Sequence, residues 1–261
     1  MDTLEVARSS HHKQDITWDK SALRKDPLPG PKDNLICRTL AQIESKIPCM
    51  QIDLKKKIPI GAGLGGGSSD AGALLRFFVA EGLITSELAE ELARSIGADV
   101  PFFLRPQPAW VSGTGEKRLY TELSPDLKEV RFLIVIPPFS VSTAVVFERL
   151  RKASPSFKQR RSFCFPNLTN WESLKKFLKS AKNDLEETVR QLHPEISPIL
   201  EALRSSNAAY SGLSGSGSSC IAVFESSSSL IEFVKDLNPI FRKYSCRTTE
   251  ARTYSESVSF C

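Results

Sequence analysis

The spacing of apolar residues predicts a helix and two strands in the first sixty residues. Apolar positions on one side of the segment 34–46 follow Asn34, a residue type that favours the position before a helix, and they predict a helix there. The segment 50–54 alternates apolar and polar residues as a half-buried strand does. Residues 3–6 fit the end of another strand, whereas 14–30 is polar and contains prolines, which predicts a connecting loop.

The same two periodicities continue along the rest of the chain. Helical spacing predicts further helices at 71–79, 85–96, 171–178, 185–192, 196–204 and 230–237. Short apolar runs predict strands at 130–136, 208–211, 220–224 and 245–251. Because the first of these strands is a natural place for a second domain to begin, we expect two α+β lobes, at 1–128 and 129–261, with no internal repeat.

Composition narrows the classes of protein to which the chain can belong. Its 261 residues are 41% apolar, enough for a buried core, and its net charge of +5 is spread along the sequence. A nucleic-acid-binding protein usually concentrates its charge on one face, so we expect no nucleic-acid partner. The basic runs Lys55–Lys57 and Arg149–Lys152 are predicted to be solvated faces, although a positive balance suits phosphorylated substrates.

Cysteine spacing and the first residues indicate a reducing compartment. The six cysteines include no C-x-x-C pair and no neighbouring histidine partners, so we predict free thiols and no metal site made by cysteine. The N-terminal residues lack the basic and apolar regions of a secretory leader, and no apolar stretch is long enough to span a membrane. We therefore expect a cytoplasmic protein with no membrane partner.

A glycine-rich segment between a predicted strand and a predicted helix is the strongest chemical signal. Pro59 to Ala71 contains five glycines within seven residues, followed by Ser68 and Ser69. Glycines at this density let backbone N–H groups converge on an anion, and a helix beginning near Ser68 adds unpaired N–H groups and the positive end of its dipole. The pattern predicts a phosphate-binding loop. It is neither a Walker A loop nor a dinucleotide fingerprint, and the alternative is a loop that only caps a helix.

Two weaker signals accompany this loop. Asp99 lies in the segment Gly97–Phe103, after a glycine at the end of a helix, where its carboxylate could accept a proton from an attacking hydroxyl or could simply be a turn residue. The segment Ser211–Cys220 is rich in glycine and serine and opens into a strand. Three such segments in one chain favour an enzyme more strongly than any one of them would alone.

Together these residues resemble the GHMP kinases, whose hallmark is a proline followed by this glycine-serine loop. Further segments resemble those of the family members that act on a cytidine-diphospho sugar alcohol. They are the Asp33–Ile36 segment, the complete loop to Ala71, Gly97–Phe103, Gly113–Glu116, Pro137–Thr143 and Asn183–Glu186.

The resemblance implies an α+β fold of two lobes, the first like ribosomal protein S5 domain 2 and the second ferredoxin-like. It implies ATP- and Mg2+-dependent phosphorylation of the 2-hydroxyl of a diphosphocytidyl sugar alcohol in the non-mevalonate isoprenoid pathway, by a monomer or weak homodimer. In this chain Asp99 would be the catalytic base. The ATP phosphates would be held by Pro59, Gly61, Gly63, Leu64, Gly65, Gly66, Gly67, Ser68 and Ser69, and the acceptor substrate by Thr143, Gly215, Ser216 and Gly217.

One departure from the family pattern concerns the first strand. Members begin with a strand whose lysine pairs with the catalytic aspartate and a turn whose aromatic-histidine pair grips cytosine; the chain shows neither, and His11-His12 is not an adequate substitute. Either the start is at an incorrectly chosen methionine, which we favour, or the chain is a shortened variant. On this basis we expect weak ATP binding and poor turnover.

Three alternatives remain at this point. Another GHMP enzyme, such as a mevalonate or homoserine kinase, would share the loop and phosphorylate a different hydroxyl. A catalytically impaired relative could bind nucleotide or a partner protein without turnover. A nucleic-acid module like S5 would not explain the phosphate-binding loop.

Overall fold

The computed structural model describes residues 1–9, 15–19, 30–122, 124–153 and 166–253. Within these ranges the chain forms two compact units. The first unit contains the described residues of 1–60 and 65–122, and the second contains 61–64 and the described residues from 124 onward. His11-His12 lies outside the described residues.

The sheet of the first unit has three strands, β1 (Thr3–Arg8), β2 (Asp15–Asp19) and β3 (Met50–Lys55), with β3 in the centre. β3 is antiparallel to β1 and parallel to β2. The predicted loop over 14–30 is therefore wrong at Asp15–Asp19. This pentapeptide pairs with β3 along its whole length, and so short a strand shows too little alternation to be recognised.

Four helices and a hairpin complete the first unit: α1 (Leu35–Ile43), α2 (Gly66–Ala80), α3 (Ser86–Ile96), α4 (Val100–Leu104), β4 (Ala109–Ser112) and β5 (Lys117–Tyr120). Asn34 Oδ1 accepts a hydrogen bond from Ile36 N at 2.9 Å, and Thr85 Oγ1 accepts one from Leu88 N at 3.2 Å, so two helices begin where the sequence predicts. One face of each of α1, α2 and α3 is buried with β3 in a single apolar core.

The second unit is built on a four-stranded antiparallel sheet of order β7-β8-β6-β9. Its strands are β6 (Arg131–Ile136), β7 (Tyr210–Leu213), β8 (Cys220–Phe224) and β9 (Arg247–Arg252), and its helices are α5 (Thr143–Ala153), α6 (Trp171–Ser180), α7 (Glu186–Leu192), α8 (Ser197–Arg204) and α9 (Ser227–Lys243). The core joins apolar residues of β6 and β8 with α7, α8 and α9.

The strands and helices predicted in this half are confirmed, and α5 is additional. Only Val146 of α5 is buried, so it lacks the apolar stripe that marks a helix in sequence.

Among the described residues, no helix combines the length and the apolar character needed to cross a membrane.

Candidate active site

The first turn of α2 has the properties of an anion-binding site. Gly65 precedes the helix with φ of +66° and provides no side-chain cap, and the first turn contains no acidic residue. The first backbone hydrogen bond of the helix runs from Ser69 N to the Gly65 carbonyl at 2.8 Å. The N–H groups of 66–68 therefore have no acceptor inside the helix. These donors and the helix dipole fit a phosphate group. The helix thus begins at Gly66, two residues before the predicted start.

The side chains of the two serines do not cap α2. Ser69 Oγ donates to the Gly66 carbonyl at 2.8 Å, a bond within the first turn, and Ser68 is half-buried beside it. Their hydroxyl groups therefore lie in the first turn itself, where a bound phosphate or a metal ion carried by that phosphate would be within reach.

The preceding part of the glycine loop, 61–64, packs within the second unit. The Gly61 carbonyl accepts from Val141 N, the Ala62 carbonyl from Ser219 N, each at 3.0 Å. A Cβ at Gly63, where φ is +70°, would lie 2.2 Å from the Ser214 carbonyl oxygen. Only glycine fits at this position, because both the backbone angle and the approach of the second loop exclude a side chain.

The late glycine-serine loop, 214–217, brings together several residues predicted to hold the acceptor substrate. Gly215 and Gly217 have φ of +55° and +79°, and between them the buried Ser216 hydroxyl lies 2.7 Å from the Thr143 hydroxyl at the start of α5. Ser214 Oγ donates to the Gly63 carbonyl at 2.8 Å. Within the second unit, Gly63 therefore lies against the 214–217 loop, whereas Gly61 lies beside Ser140 and Val141.

Asp99 occupies the position before α4, in the first unit. Its side chain is exposed and does not cap the helix. In the part of the chain that the structure describes, its carboxylate makes no hydrogen bond or ion pair, so it is available to a hydroxyl group of a bound molecule. Pro101, in the first turn of α4, fixes the start of that short helix.

Leu35 places the start of α2 next to the segment that contains Asp99. A Cβ at Gly67 would lie 3.8 Å from Leu35 Cδ1, and a Cβ at Gly97 would lie 3.9 Å from the same atom. One methyl group therefore separates the anion-binding turn from the backbone two residues before Asp99. Asn34 fixes this leucine by capping α1.

The turn between β4 and β5 supports the other side of the Asp99 segment. Gly115, with φ of +103°, approaches so closely that a Cβ there would lie 2.1 Å from the Ala98 carbonyl oxygen. The hairpin is fixed to α3 by Arg118, whose Nη2 donates to both oxygens of Glu90 at 2.8 and 2.9 Å. The sequence drew attention to Gly113–Glu116 without predicting this contact.

Lys56 corrects one expectation. The run Lys55–Lys57 was predicted to be solvated, but the Lys56 side chain is 5% exposed and its ammonium lies between the carboxylates of Asp2 and Asp70, 2.8 Å from the latter. The ammonium also contacts the start of α2, since a Cβ at Gly66 would lie 3.1 Å from Nζ. Burial raises the pKa of Asp70 to about 7, against the attraction of Lys56.

The second basic run, Arg149–Lys152, lies on α5, with Arg149, Arg151 and Lys152 exposed as predicted.

The described residues contain no cluster of three or more His, Cys, Asp or Glu side chains that could hold a metal ion. Mg2+ commonly keeps water and substrate phosphates as ligands and needs only one or two protein groups, so the arrangement is compatible with an ion carried by ATP.

Comparison with known proteins agrees with this geometry. The family model for the GHMP kinases N terminal domain matches residues 34–106, and that for GHMP kinases C terminal matches residues 164–239. The crystal structure of homoserine kinase from Cytophaga hutchinsonii shares the fold, with a TM-score of 0.64, 16% identity and coverage of 97% of this chain and 85% of that chain. The fold and the glycine loop define a small-molecule kinase of the GHMP class, an enzyme that uses ATP.

More similar proteins narrow the family. Proteins named 4-diphosphocytidyl-2-C-methyl-D-erythritol kinase from Parabacteroides distasonis and Ruegeria pomeroyi are 35% and 33% identical, over 76% and 86% of this chain and 72% and 76% of their own length. A crystal structure of 4-(cytidine 5'-diphospho)-2C-methyl-D-erythritol kinase matches with a TM-score of 0.67 and 25% identity, over 95% of this chain and 84% of that chain. The chain belongs to the family of 4-diphosphocytidyl-2-C-methyl-D-erythritol kinases.

Proposed function

We propose that the chain transfers the γ-phosphoryl group of ATP to the 2-hydroxyl of 4-diphosphocytidyl-2-C-methyl-D-erythritol, in the non-mevalonate pathway to isoprenoid precursors. The single observation that carries the proposal is the arrangement around Leu35 in the first unit. An uncapped helix start that suits a phosphate lies on one side of this side chain, and the segment of Asp99 lies on the other. The Asp99 carboxylate has no partner among the residues that the structure describes. The family supplies the identity of the acceptor.

The residues of the first unit divide the chemistry between binding and proton transfer. The N–H groups at the start of α2, with the Ser68 and Ser69 hydroxyls, would bind phosphate oxygens of ATP and share the coordination of Mg2+. Asp99 would accept the proton of the attacking hydroxyl as the new P–O bond forms and ADP leaves. Mg2+ would supply charge neutralisation on the phosphates.

The residues of the second unit would bind the acceptor. The Ser216 and Thr143 hydroxyls form a hydrogen-bonded pair that offers both donors and acceptors to a polyol or a diphosphate. Gly215 and Gly217 let the backbone of this loop approach a ligand without a side chain in the way.

A substrate panel tests the proposal. The purified chain is incubated with ATP and Mg2+ and, in separate reactions, with 4-diphosphocytidyl-2-C-methyl-D-erythritol, mevalonate and homoserine, and product formation is followed by mass spectrometry. We expect phosphorylation of the diphosphocytidyl compound alone. Turnover of mevalonate or homoserine in preference to it would reject the proposed acceptor, and nucleotide binding without turnover of any acceptor would favour the catalytically impaired alternative.

The role of Asp99 has its own test. Asp99→Asn is expected to lower kcat by about a hundredfold or more, because the amide cannot accept the proton. Its melting temperature should match that of the wild type, since the carboxylate is exposed and has no described partner. Asp126→Asn is the matched control: Asp126 is also exposed, and it lies in the second unit, so its change should leave kcat unaltered. Equal kcat for wild type and Asp99→Asn would remove the aspartate from the mechanism.

A further inference from the structure

Asn183, three residues before α7, makes hydrogen bonds with every polar atom of its side chain. Its Oδ1 accepts from Leu185 N at 3.0 Å. This bond fixes which end of the amide is oxygen, so Nδ2 must point the other way, toward the 214–217 loop. Nδ2 then donates to the Leu213 carbonyl at 3.0 Å and to the Gly215 carbonyl at 2.7 Å.

The two carbonyl groups that accept from Asn183 belong to Leu213 and Gly215, the residues on either side of Ser214 in the sequence. The amide therefore sets the direction of the two peptide groups through which the chain leaves β7 and enters the loop. Both N–H donors are used, which no other uncharged side chain of the same size can reproduce. Glu186, the first residue of α7, adds another bond to the end of β7: its Oε2 accepts from Leu213 N at 3.3 Å. Its Oε1 pairs with Arg204.

The loop that starts from this anchor carries the hydroxyl predicted to contact the acceptor. Gly215 turns the chain with a positive φ, and Ser216 follows with its Oγ 2.7 Å from Thr143 Oγ1. Within the loop, Gly217 N donates to the Ser214 carbonyl at 2.9 Å, and Ser214 N donates to the Ser219 carbonyl at 2.9 Å. A change in the direction of the Leu213 and Gly215 peptides would therefore move Ser216 away from Thr143.

We propose that Asn183 is a positioning residue that holds the 214–217 loop in the conformation that binds the phosphate acceptor. The proposal rests on the acceptor-binding role assigned to Thr143 and Ser216 in the proposed function. Asn183 would act through the loop, with no contact of its own to the substrate.

The informative variant is Asn183→Asp, which keeps the size of the side chain and the oxygen that accepts from Leu185 N. It replaces the two donors with an oxygen that faces two carbonyl oxygens, so the loop is repelled while the hydrogen bond from Leu185 N is kept. Asn170→Asp is the matched control. Asn170 Oδ1 accepts from Ser173 N at 2.9 Å at the start of α6, and its amide contacts no loop carbonyl among the described contacts.

Two measurements on the full chain test the proposal. In steady-state kinetics we expect Asn183→Asp to raise KM for the acceptor by about tenfold and KM for ATP by less than about threefold, with Asn170→Asp unchanged. By hydrogen exchange we expect faster exchange at Ser214, Gly217 and Ser219 in Asn183→Asp only. An unaltered KM for the acceptor, or equal losses in both variants, would overturn the proposal.

Failure of the proposed function can be distinguished from failure of the positioning role. If the wild type does not phosphorylate the diphosphocytidyl acceptor, the proposed function is rejected, and the positioning role is then decided by exchange alone. Faster exchange confined to the loop of Asn183→Asp supports it, and unchanged exchange overturns it.

Discussion

At the scale of single residues, the position of Asp99 depends on a glycine that belongs to another element. Gly115 closes the β4–β5 turn against the Ala98 carbonyl, in a conformation with φ of +103° that favours glycine. We expect Gly115→Ala to displace the Ala98–Asp99 backbone. If Asp99 is the proposed base, a displacement of about 1 Å would cost its alignment with the reacting hydroxyl and lower kcat by about a hundredfold. Steady-state assays of the purified variant give the comparison.

Gly82→Ala separates this displacement from the general cost of a positive φ. Gly82 has φ of +67° and lies in the first unit as well, but nothing is within 4 Å of a Cβ built there. Both variants should lose on the order of 1 kcal/mol of stability through the backbone angle, and only Gly115→Ala should lose kcat beyond what its stability explains. Equal kcat values in the two variants would contradict the supporting role of the turn.

At the scale of elements, α1 links the stability of a helix to the geometry of the site. Asn34 is buried and caps α1, and Leu35 at the first position of the helix separates Gly67 from Gly97. We expect Asn34→Ala to lower the free energy of unfolding by about 1 kcal/mol and also to raise KM for ATP, because an uncapped first turn no longer fixes Leu35. Denaturant unfolding and kinetics measure the two effects.

Thr85→Ala is the control for this effect. Thr85 caps α3 in the same way, through its hydroxyl and Leu88 N, but no bond or contact described for it involves Leu35. The variant should lose a similar amount of stability with an unchanged KM for ATP. If Thr85→Ala weakens ATP binding as much as Asn34→Ala does, loss of stability alone accounts for both.

The elements also show which parts of the fold are readable in sequence. Helices α1 and α3 were predictable because a side-chain cap coincides with a clear apolar stripe. The glycine loop was predictable from composition. Strand β2 and helix α5 were not, since one is only five residues long and the other buries a single side chain. The burial of Lys56 depends on Asp2 and Asp70, which are distant in sequence, so local patterns predict a solvated lysine instead.

At the scale of the whole molecule, the buried charges of the first unit make its stability depend on pH. One ammonium, that of Lys56, faces the carboxylates of both Asp2 and Asp70 and cannot neutralise two negative charges. Burial, and to a smaller extent the neighbouring charge of Asp2, raises the pKa of Asp70 to about 7, from about 4 in an unfolded chain. The proton on Asp70 stabilises the folded state fully below pH of about 4, and this contribution is lost as the pH rises through about 7.

We therefore expect the free energy of unfolding of the first unit to be lower at pH 8 than at pH 5, by on the order of 1 kcal/mol. Asp70→Asn, which cannot ionise, should remove this difference. Since Asp70 belongs to the first unit, native-state hydrogen exchange should show the change in α2 and β3 and not in β6 and β8 of the second unit. An identical pH dependence in wild type and Asp70→Asn would show that Asp70 stays ionised beside Lys56, with the ammonium neutralising it despite the presence of Asp2.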